Sequence, residues 1–297
     1  MENAFALIIL TIVCILLIAL VIIMATYMAA NYIDSAWIYL FNKPAFVHFY
    51  PFKKSIPADI EEMLYDEFAF YRNLTPRRRR YFNHRVYRFM RKYEFVGREG
   101  ITVTPIMKAK IAATWVMLTF GMRYYLPNIF KFILVFPDIY QSAVTGLWHK
   151  GEFNHPAGAV AFSWKHFTEG MRNDTDNINL GLHEFAHALH VSATTTDDTG
   201  ASGDLYALMF DKVIEYISVQ ENLKQLAQMG YLRDYAFTNQ FEFMAVTLET
   251  FFETPAEFKQ KLPELYGLIS KMINYNPVPQ SLLGSNIASK PERNLIS

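Results

Sequence analysis

Cysteine is almost missing from this chain of 297 residues: Cys14 stands alone. A lone thiol excludes an intramolecular disulfide framework and any zinc site built on several thiolates. Net charge is missing too, with 28 basic residues against 28 acidic ones. That balance excludes a nucleic-acid binder working by bulk charge, and no direct nucleic-acid partner is expected. Charged residues make up only 19% of the chain and apolar ones 52%, which excludes a disordered protein. With thiolates gone, the eight histidines are the soft ligands left for a metal, and three of them fall within eight residues.

Charge of either sign is absent between Glu2 and Asp34. Within that run, Ala4 to Ala25 has Thr11 as its only conventional polar residue. About 20 apolar residues in a helix cross a bilayer's hydrocarbon core, so the stretch is long enough to span. A cleaved signal peptide would need a basic start and an apolar run of about 7–15 residues, and neither is present. We read an uncleaved anchor. Its downstream flank carries Lys43, Lys53, Lys54, Arg72 and Arg77 to Arg80, so the positive-inside rule puts the bulk of the chain in the cytoplasm. The reading divides the chain into an anchor (1–35), a juxtamembrane linker (36–56), a helix-rich domain (57–275) and a flexible tail (276–297). A second apolar region, Ile111 to Pro137, is broken by Arg123, Pro127 and Lys131. It reads as a buried core helix followed by a short strand, not as a second span.

Inside the domain, Thr75-Pro76 is an N-cap followed by proline at the first helical position. Phe82, Val86, Phe89 and Tyr93 then make an apolar stripe flanked by arginines at 77–80, 85, 88 and 91. An acidic partner or anionic lipid is one reading of those arginines. A solvated face balanced by the acidic 59–67 segment is the preferred one, because apolar periodicity already explains the helix. Residues 132–136 and 159–164 read as strands.

His183-Glu184-Phe185-Ala186-His187 is the sharpest signal. Residues four apart on a helix face the same way, so both imidazoles can bind one metal ion. Glu184, one residue round, can reach a water at that ion without ligating it, as a general base should. Chance yields this pattern in about one chain in 80 of this composition. The helix has its own support in the cap candidates Asp174, Thr175, Asp176 and Asn177 and the stripe Ile178, Leu182, Phe185 and Leu189. A catalytic zinc needs a third protein ligand and an open fourth position. The metzincin extension fails, because His190 and Ala193 stand where glycine and histidine are required. That leaves a later carboxylate, with Glu215, Glu221, Glu242, Glu249 and Glu253 as candidates that spacing does not separate.

The run from Tyr235 to Ala245, with Glu242-Phe243-Met244-Ala245 at its end, together with the histidine motif, resembles the MtfA (Mlc titration factor A) family of zinc peptidases. The catalytic layout is similar to that of anthrax lethal factor. The resemblance extends through residues 92–97 and 111–113 to Val160–Trp164 and covers roughly 60–275. It implies an α+β, mainly helical fold, a gluzincin-type zincin domain with a small β-sheet, here preceded by one transmembrane helix. It implies one catalytic Zn²⁺ on His183, His187 and Glu242, with Glu184 as general acid/base and Tyr235 facing the metal. It also implies peptide or protein substrates, aminopeptidase-type activity and a glucose-responsive repressor as partner; the single-pass anchor, which departs from the soluble members of the family, is expected in a bacterial-type inner membrane. Two positions depart from the family: His190 replaces an aspartate and Met244 a phenylalanine.

Further expectations follow from the residues. Glu249, two turns beyond Glu242, is a candidate partner for an imidazole, against a solvated charge. His190 is expected to hydrogen-bond locally, and His149, His155 and His166 receive no role. A free edge on the 159–164 strand beside the zinc helix would let an extended substrate pair with its backbone. Two rivals stand beside the peptidase. A multi-span protease of the HtpX type would need further spans. A membrane-tethered regulatory protein with a non-catalytic zinc would have no need of Glu184.

Overall fold

The computed structural model describes residues 2–44, 46–142, 144–173, 175–195 and 200–277. The expected tail from 278 onward and the cap candidate Asp174 lie outside these described residues.

Helix α1 (Glu2–Phe41) carries the apolar run and continues past the boundary expected at residue 35. No glycine or proline interrupts it, so nothing in the backbone calls for a stop. Among the described residues it is the one helix long and apolar enough to cross a membrane. Its Asp34 and Ile38 are buried against the domain, and Asp34 pairs with Arg123 at 3.1 Å. The 42–56 stretch is also tied down: the Lys54 amide donates to His84 Nδ1 at 2.9 Å and Arg85 donates to the Tyr50 hydroxyl at 2.6 Å.

Helices α2 (Ala58–Glu67) and α3 (Ala69–Arg72) lead into α4 (Pro76–Lys92). Thr75 caps α4 by accepting from the Arg78 amide. Phe82, Val86 and Phe89 are fully buried, each contributing about 1.5–3 kcal/mol relative to exposure. The arginines, however, do not all line a solvated face. Arg85 has no exposed surface and donates to the carbonyls of Thr119 (2.8 Å) and Met122 (2.7 Å). Those carbonyls follow α5 (Pro105–Leu118), where a helix runs out of amide partners and its dipole favours a cation. The guanidinium thus replaces solvent with a full set of acceptors.

Helix α5 is the buried helix expected from the second apolar region, with Ile111 to Met117 inaccessible or nearly so. It connects β1 (Glu94–Gly97) to β2 (Phe132–Phe136), which pair in parallel. Two short strands, β3 (Tyr140–Gln141) and β4 (Trp148–His149), pair separately. Strands β5 (Gly151–Asn154) and β6 (Ala159–Ser163) complete a four-stranded sheet in the order β1-β2-β6-β5. β6 is therefore interior, buried at every position, and the free edge expected on 159–164 does not exist. A tight turn closed by Gly158 N to His155 O at 2.9 Å brings β5 back antiparallel along it. The four-residue β5 is too short and too polar to announce itself by period-two alternation.

Helix α6 (Trp164–Arg172) precedes α7 (Leu180–Thr195), then α8 (Gly200–Ser218) and α9 (Gln220–Met229). A 3₁₀ turn (Asp234–Phe237) leads to α10 (Gln240–Glu253), α11 (Pro255–Lys261) and α12 (Pro263–Met272). The fold is mainly helical with a small sheet, as expected. Its core gathers α4, α5, α7, α10 and the sheet into one apolar cluster.

Candidate metal centre

Helix α7 starts one step after Asn179, whose side chain accepts from the Leu182 amide at 3.0 Å. This is the N-cap, not the residues at 174–177, and Ile178 lies outside the helix with more than half its surface exposed. Phe185 then anchors the helix in the core, its ring 5.2 Å from both Trp115 and Phe162. With 100° per residue, His183 and His187 are each about 200° round from that anchor, so fixing Phe185 aims both imidazoles the other way. Their Nε2 atoms lie 3.2 Å apart.

The facing wall is α10. Asn239 caps it, accepting from the amides of Phe241 and Glu242 at 2.9 and 3.0 Å. Glu242 in its first turn points at the histidines, with Oε2 3.0 Å from His183 Nε2 and 3.6 Å from His187 Nε2. Glu249, two turns on, is buried and sits 2.8 Å from His183 Nδ1. It also accepts from Arg233 Nη2 and from the Asn179 amide, both at 2.6 Å. A carboxylate on Nδ1 favours a proton there and turns Nε2 toward Glu242 and His187. Of the other candidate carboxylates, Glu215 and Glu221 are exposed on α8 and α9. Glu253 accepts from Asn179 Nδ2 at 3.1 Å.

Glu184 turns away from the Glu242 side and toward β5, where its Oε2 accepts from the Phe153 amide at 3.0 Å. The strand comes this close because residue 151 is glycine: a Cβ there would lie 2.7 Å from Leu180 Cδ1 and 2.8 Å from Glu184 Cγ. Burial pushes the Glu184 carboxyl up to about 7. Tyr235, on the 3₁₀ turn, is half-exposed with its ring 5.8 Å from that of His183. Burial, and then the nearby Glu242 carboxylate, raise its phenol above the usual range. His183, Glu184, Tyr235 and Glu249 line a cleft of about 680 Å³ whose walls also include Trp148 and Arg233.

The electrostatics of the cluster ask for a cation. Burial depresses His187, and neighbouring positive charge on His183 adds to this, bringing it to about 4. Burial works against His183 as well, yet the carboxylates of Glu242 and Glu249 beside it prevail and raise it to about 10. Positive charge at that point is what the two carboxylates stabilise. Glu242 Oε2 is buried without a hydrogen bond, and the ligand atoms of His183, His187 and Glu242 all lie within 4.8 Å of one another. Ligands of a tetrahedral ion held at about 2.0–2.1 Å stand roughly 3.3 Å apart, close to the observed 3.0, 3.2 and 3.6 Å. Two imidazoles and a carboxylate therefore fit a metal ion in chemistry and in spacing.

The structure thus brings together all five residues singled out in the sequence: His183, Glu184, His187, Tyr235 and Glu242. His190 departs from expectation. Its Nδ1 is buried without a partner, and its ring packs 4.4 Å from Phe210 and 5.1 Å from Phe241. An aromatic cage, not a hydrogen bond, holds it. Sequence reasoning missed Arg233, which reaches Glu249 from the loop before Tyr235. It also missed the β5 backbone and Asn179, the last of which was open to detection as an N-cap residue three positions before Leu182.

An uncharacterized protein of Synechocystis sp. is 26% identical over 242 residues, covering 76% of this chain and 87% of its own length. Mlc titration factor A of Yersinia pestis is 22% identical over 203 residues, covering 64% of this chain and 74% of its own. The family model for the glucose-regulated metallo-peptidase M90 matches residues 51–273, a span that contains the whole cluster, and on that match the chain belongs to the M90 metallopeptidase family.

Proposed function

We propose that this protein is a membrane-anchored, zinc-dependent peptidase whose catalytic domain faces the cytoplasm. The observation that carries the reading is the convergence of His183, His187 and Glu242 at ligand spacing, with the buried carboxylate of Glu184 alongside. His183, His187 and Glu242 would hold the ion. Zinc, when bound, supplies Lewis acidity that polarises the scissile carbonyl and acidifies a water. Glu184 takes the proton from that water as its oxygen attacks the carbonyl carbon, and returns it to the leaving amine when the C–N bond breaks. The raised affinity of Glu184 for a proton suits both steps. The Tyr235 hydroxyl donates to the oxygen that gains charge in the tetrahedral state. Glu249, held by Arg233, keeps His183 in its ligating tautomer.

The substrate is a peptide or protein chain entering the cleft, with aminopeptidase-type cleavage as the finer reading. The Yersinia relatives are named for titrating Mlc. A repressor-type partner for this chain is supported by that name alone, and Glu184 favours turnover over a purely binding role.

The test uses the full chain purified in detergent, with metal content measured beside hydrolysis of a peptide library. Wild type should carry about one zinc per chain and cleave. Glu184→Gln should keep the metal and lose turnover, and Glu242→Gln should lose the metal. Metal-free wild-type protein, or unchanged cleavage by Glu184→Gln, would sink the proposal.

A further inference from the structure

The length of α1 does not match a simple anchor. Forty residues make a helix of about 60 Å, twice the roughly 30 Å of a bilayer's hydrocarbon core. The run Ala4–Ala25 already spans that core. Beyond it, the helix docks on the domain through one face only, where Asp34 and Ile38 are buried one turn apart. Its other face stays apolar: Tyr32 is 72% exposed, Tyr39 87% and Leu40 66%.

A second set of apolar groups lies beside it. The loop after α1 exposes Phe46, Phe49 and Phe52, the last two by more than 80%. Phe46 and Phe49 share a cavity of about 500 Å³ with Tyr27 and Ala30 of α1 and with Arg123. Tyr27 and Ala30 stand within about 8 Å along the helix of Ala25, where the spanning run ends. The loop is thus held at the level where the helix would leave the hydrocarbon.

Charge in this region has one sign. From residue 35 to residue 58 the chain has three lysines, Lys43, Lys53 and Lys54, and no acid. All three are exposed. Water-soluble surfaces rarely carry so large a continuous apolar patch, whereas aromatic side chains mixed with lysine are the composition of a membrane–water interface.

We infer that the loop from Phe46 to Phe52, beside Tyr27 and Ala30 of α1, forms a second membrane contact, seated in the headgroup region of an anionic phospholipid bilayer. The inference rests on the anchor reading of α1 and deepens it: the domain lies on the bilayer instead of hanging from a linker. Continuity with the spanning run, the level of the loop and the lysines select a bilayer over a second copy of the chain.

The experiment places spin labels on single cysteines in the full chain, in a Cys14→Ser background. The protein is reconstituted in vesicles of phosphatidylcholine and phosphatidylglycerol. Labels go in turn at Phe46→Cys, Phe49→Cys and Phe52→Cys, all exposed and so tolerant of change. Leu16→Cys reports the spanning run and Leu223→Cys an exposed site on α9. Collisions with oxygen, which partitions into lipid, are compared with collisions with an aqueous nickel chelate. The inference expects the labels at 46, 49 and 52 to shift toward oxygen, in the direction of the label at 16 and away from that at 223. Labels at all three sites that match 223 while 16 reads lipid would overturn the second contact and leave the anchor standing. A label at 16 that reads water overturns the anchor by itself. Spin–spin broadening between chains at 46 or 49 would assign the loop to a second copy and overturn the bilayer.

Discussion

The cleft between α7 and α10 and the rim around the end of α1 break the same rule in opposite directions. At the cleft, carboxylates and imidazoles are buried: Glu249 is 1% exposed, and Glu184 and His183 under 10%. At the rim, phenylalanines and tyrosines are exposed. Proteins bury charge only when it is paired, and the cleft pairs it with Arg233, Asn179 and the β5 backbone, while Glu242 Oε2 faces the imidazoles with no hydrogen bond among the described residues. The rim has no such compensation among the described residues. The contrast teaches that the two anomalies point outward to different agents, a small cation in one case and an apolar phase in the other.

The comparison breaks most severely if the cleft is not catalytic. Replacing Glu184 with glutamine should lower peptide hydrolysis by about 10²–10⁴-fold, the usual contribution of a general acid/base, while metal content holds. Next in size is the Arg85→Met change, which strands the carbonyls of Thr119 and Met122 in the core. It should cost about 3 kcal/mol in a denaturant melt, in the range for breaking a buried charged network. A shift under about 0.5 kcal/mol, the range of an ordinary surface substitution, would return Arg85 to the solvated face read from its sequence. Glu249→Gln should weaken metal binding by about 10–100-fold, measured by competition with a chromophoric chelator. An unchanged affinity would mean that Glu249 only pairs with Arg233.

These residues also mark how far the sequence could be read. The helices α4, α5, α7 and α10 were legible because a buried face repeats every three or four residues, and the two histidines of α7 inherit their geometry from that repeat. Glu242 and Tyr235 were legible only through family resemblance, since five carboxylates had equal claims by spacing. Arg85 was not legible, because a charge in a basic helix looks solvated until the carbonyls it meets, over 30 residues away, are in place. The β5 hairpin was hidden for a different reason, being shorter than any period that could reveal it.

Acid sharpens the comparison with a smaller effect. His48 and His84 lie beside the rim, and burial together with nearby arginines brings them down to about 2 and about 4. Between about pH 6.5 and pH 4 the unfolded chain binds protons that the folded chain refuses. Stability should therefore fall as pH falls through that window, and a His84→Gln variant should show a flatter profile in thermal melts. Glu253 runs the other way and by less. Burial raises it to about 8, so the folded chain holds a proton that the unfolded one has released. Stability from this group is complete below about pH 4.5 and is lost as pH rises through 8. Glu253→Gln should accordingly gain relative stability at pH 9 and show none at pH 4.

The unbroken backbone of α1 has a mechanical side. A helix without glycine or proline from Glu2 to Phe41, fastened to the domain by Asp34 and Ile38, has no hinge along its length. Its two halves act as the arms of one lever. Any force that tilts the apolar arm, such as a mismatch with bilayer thickness, must turn the domain through the same angle and swing the mouth of the cleft with it.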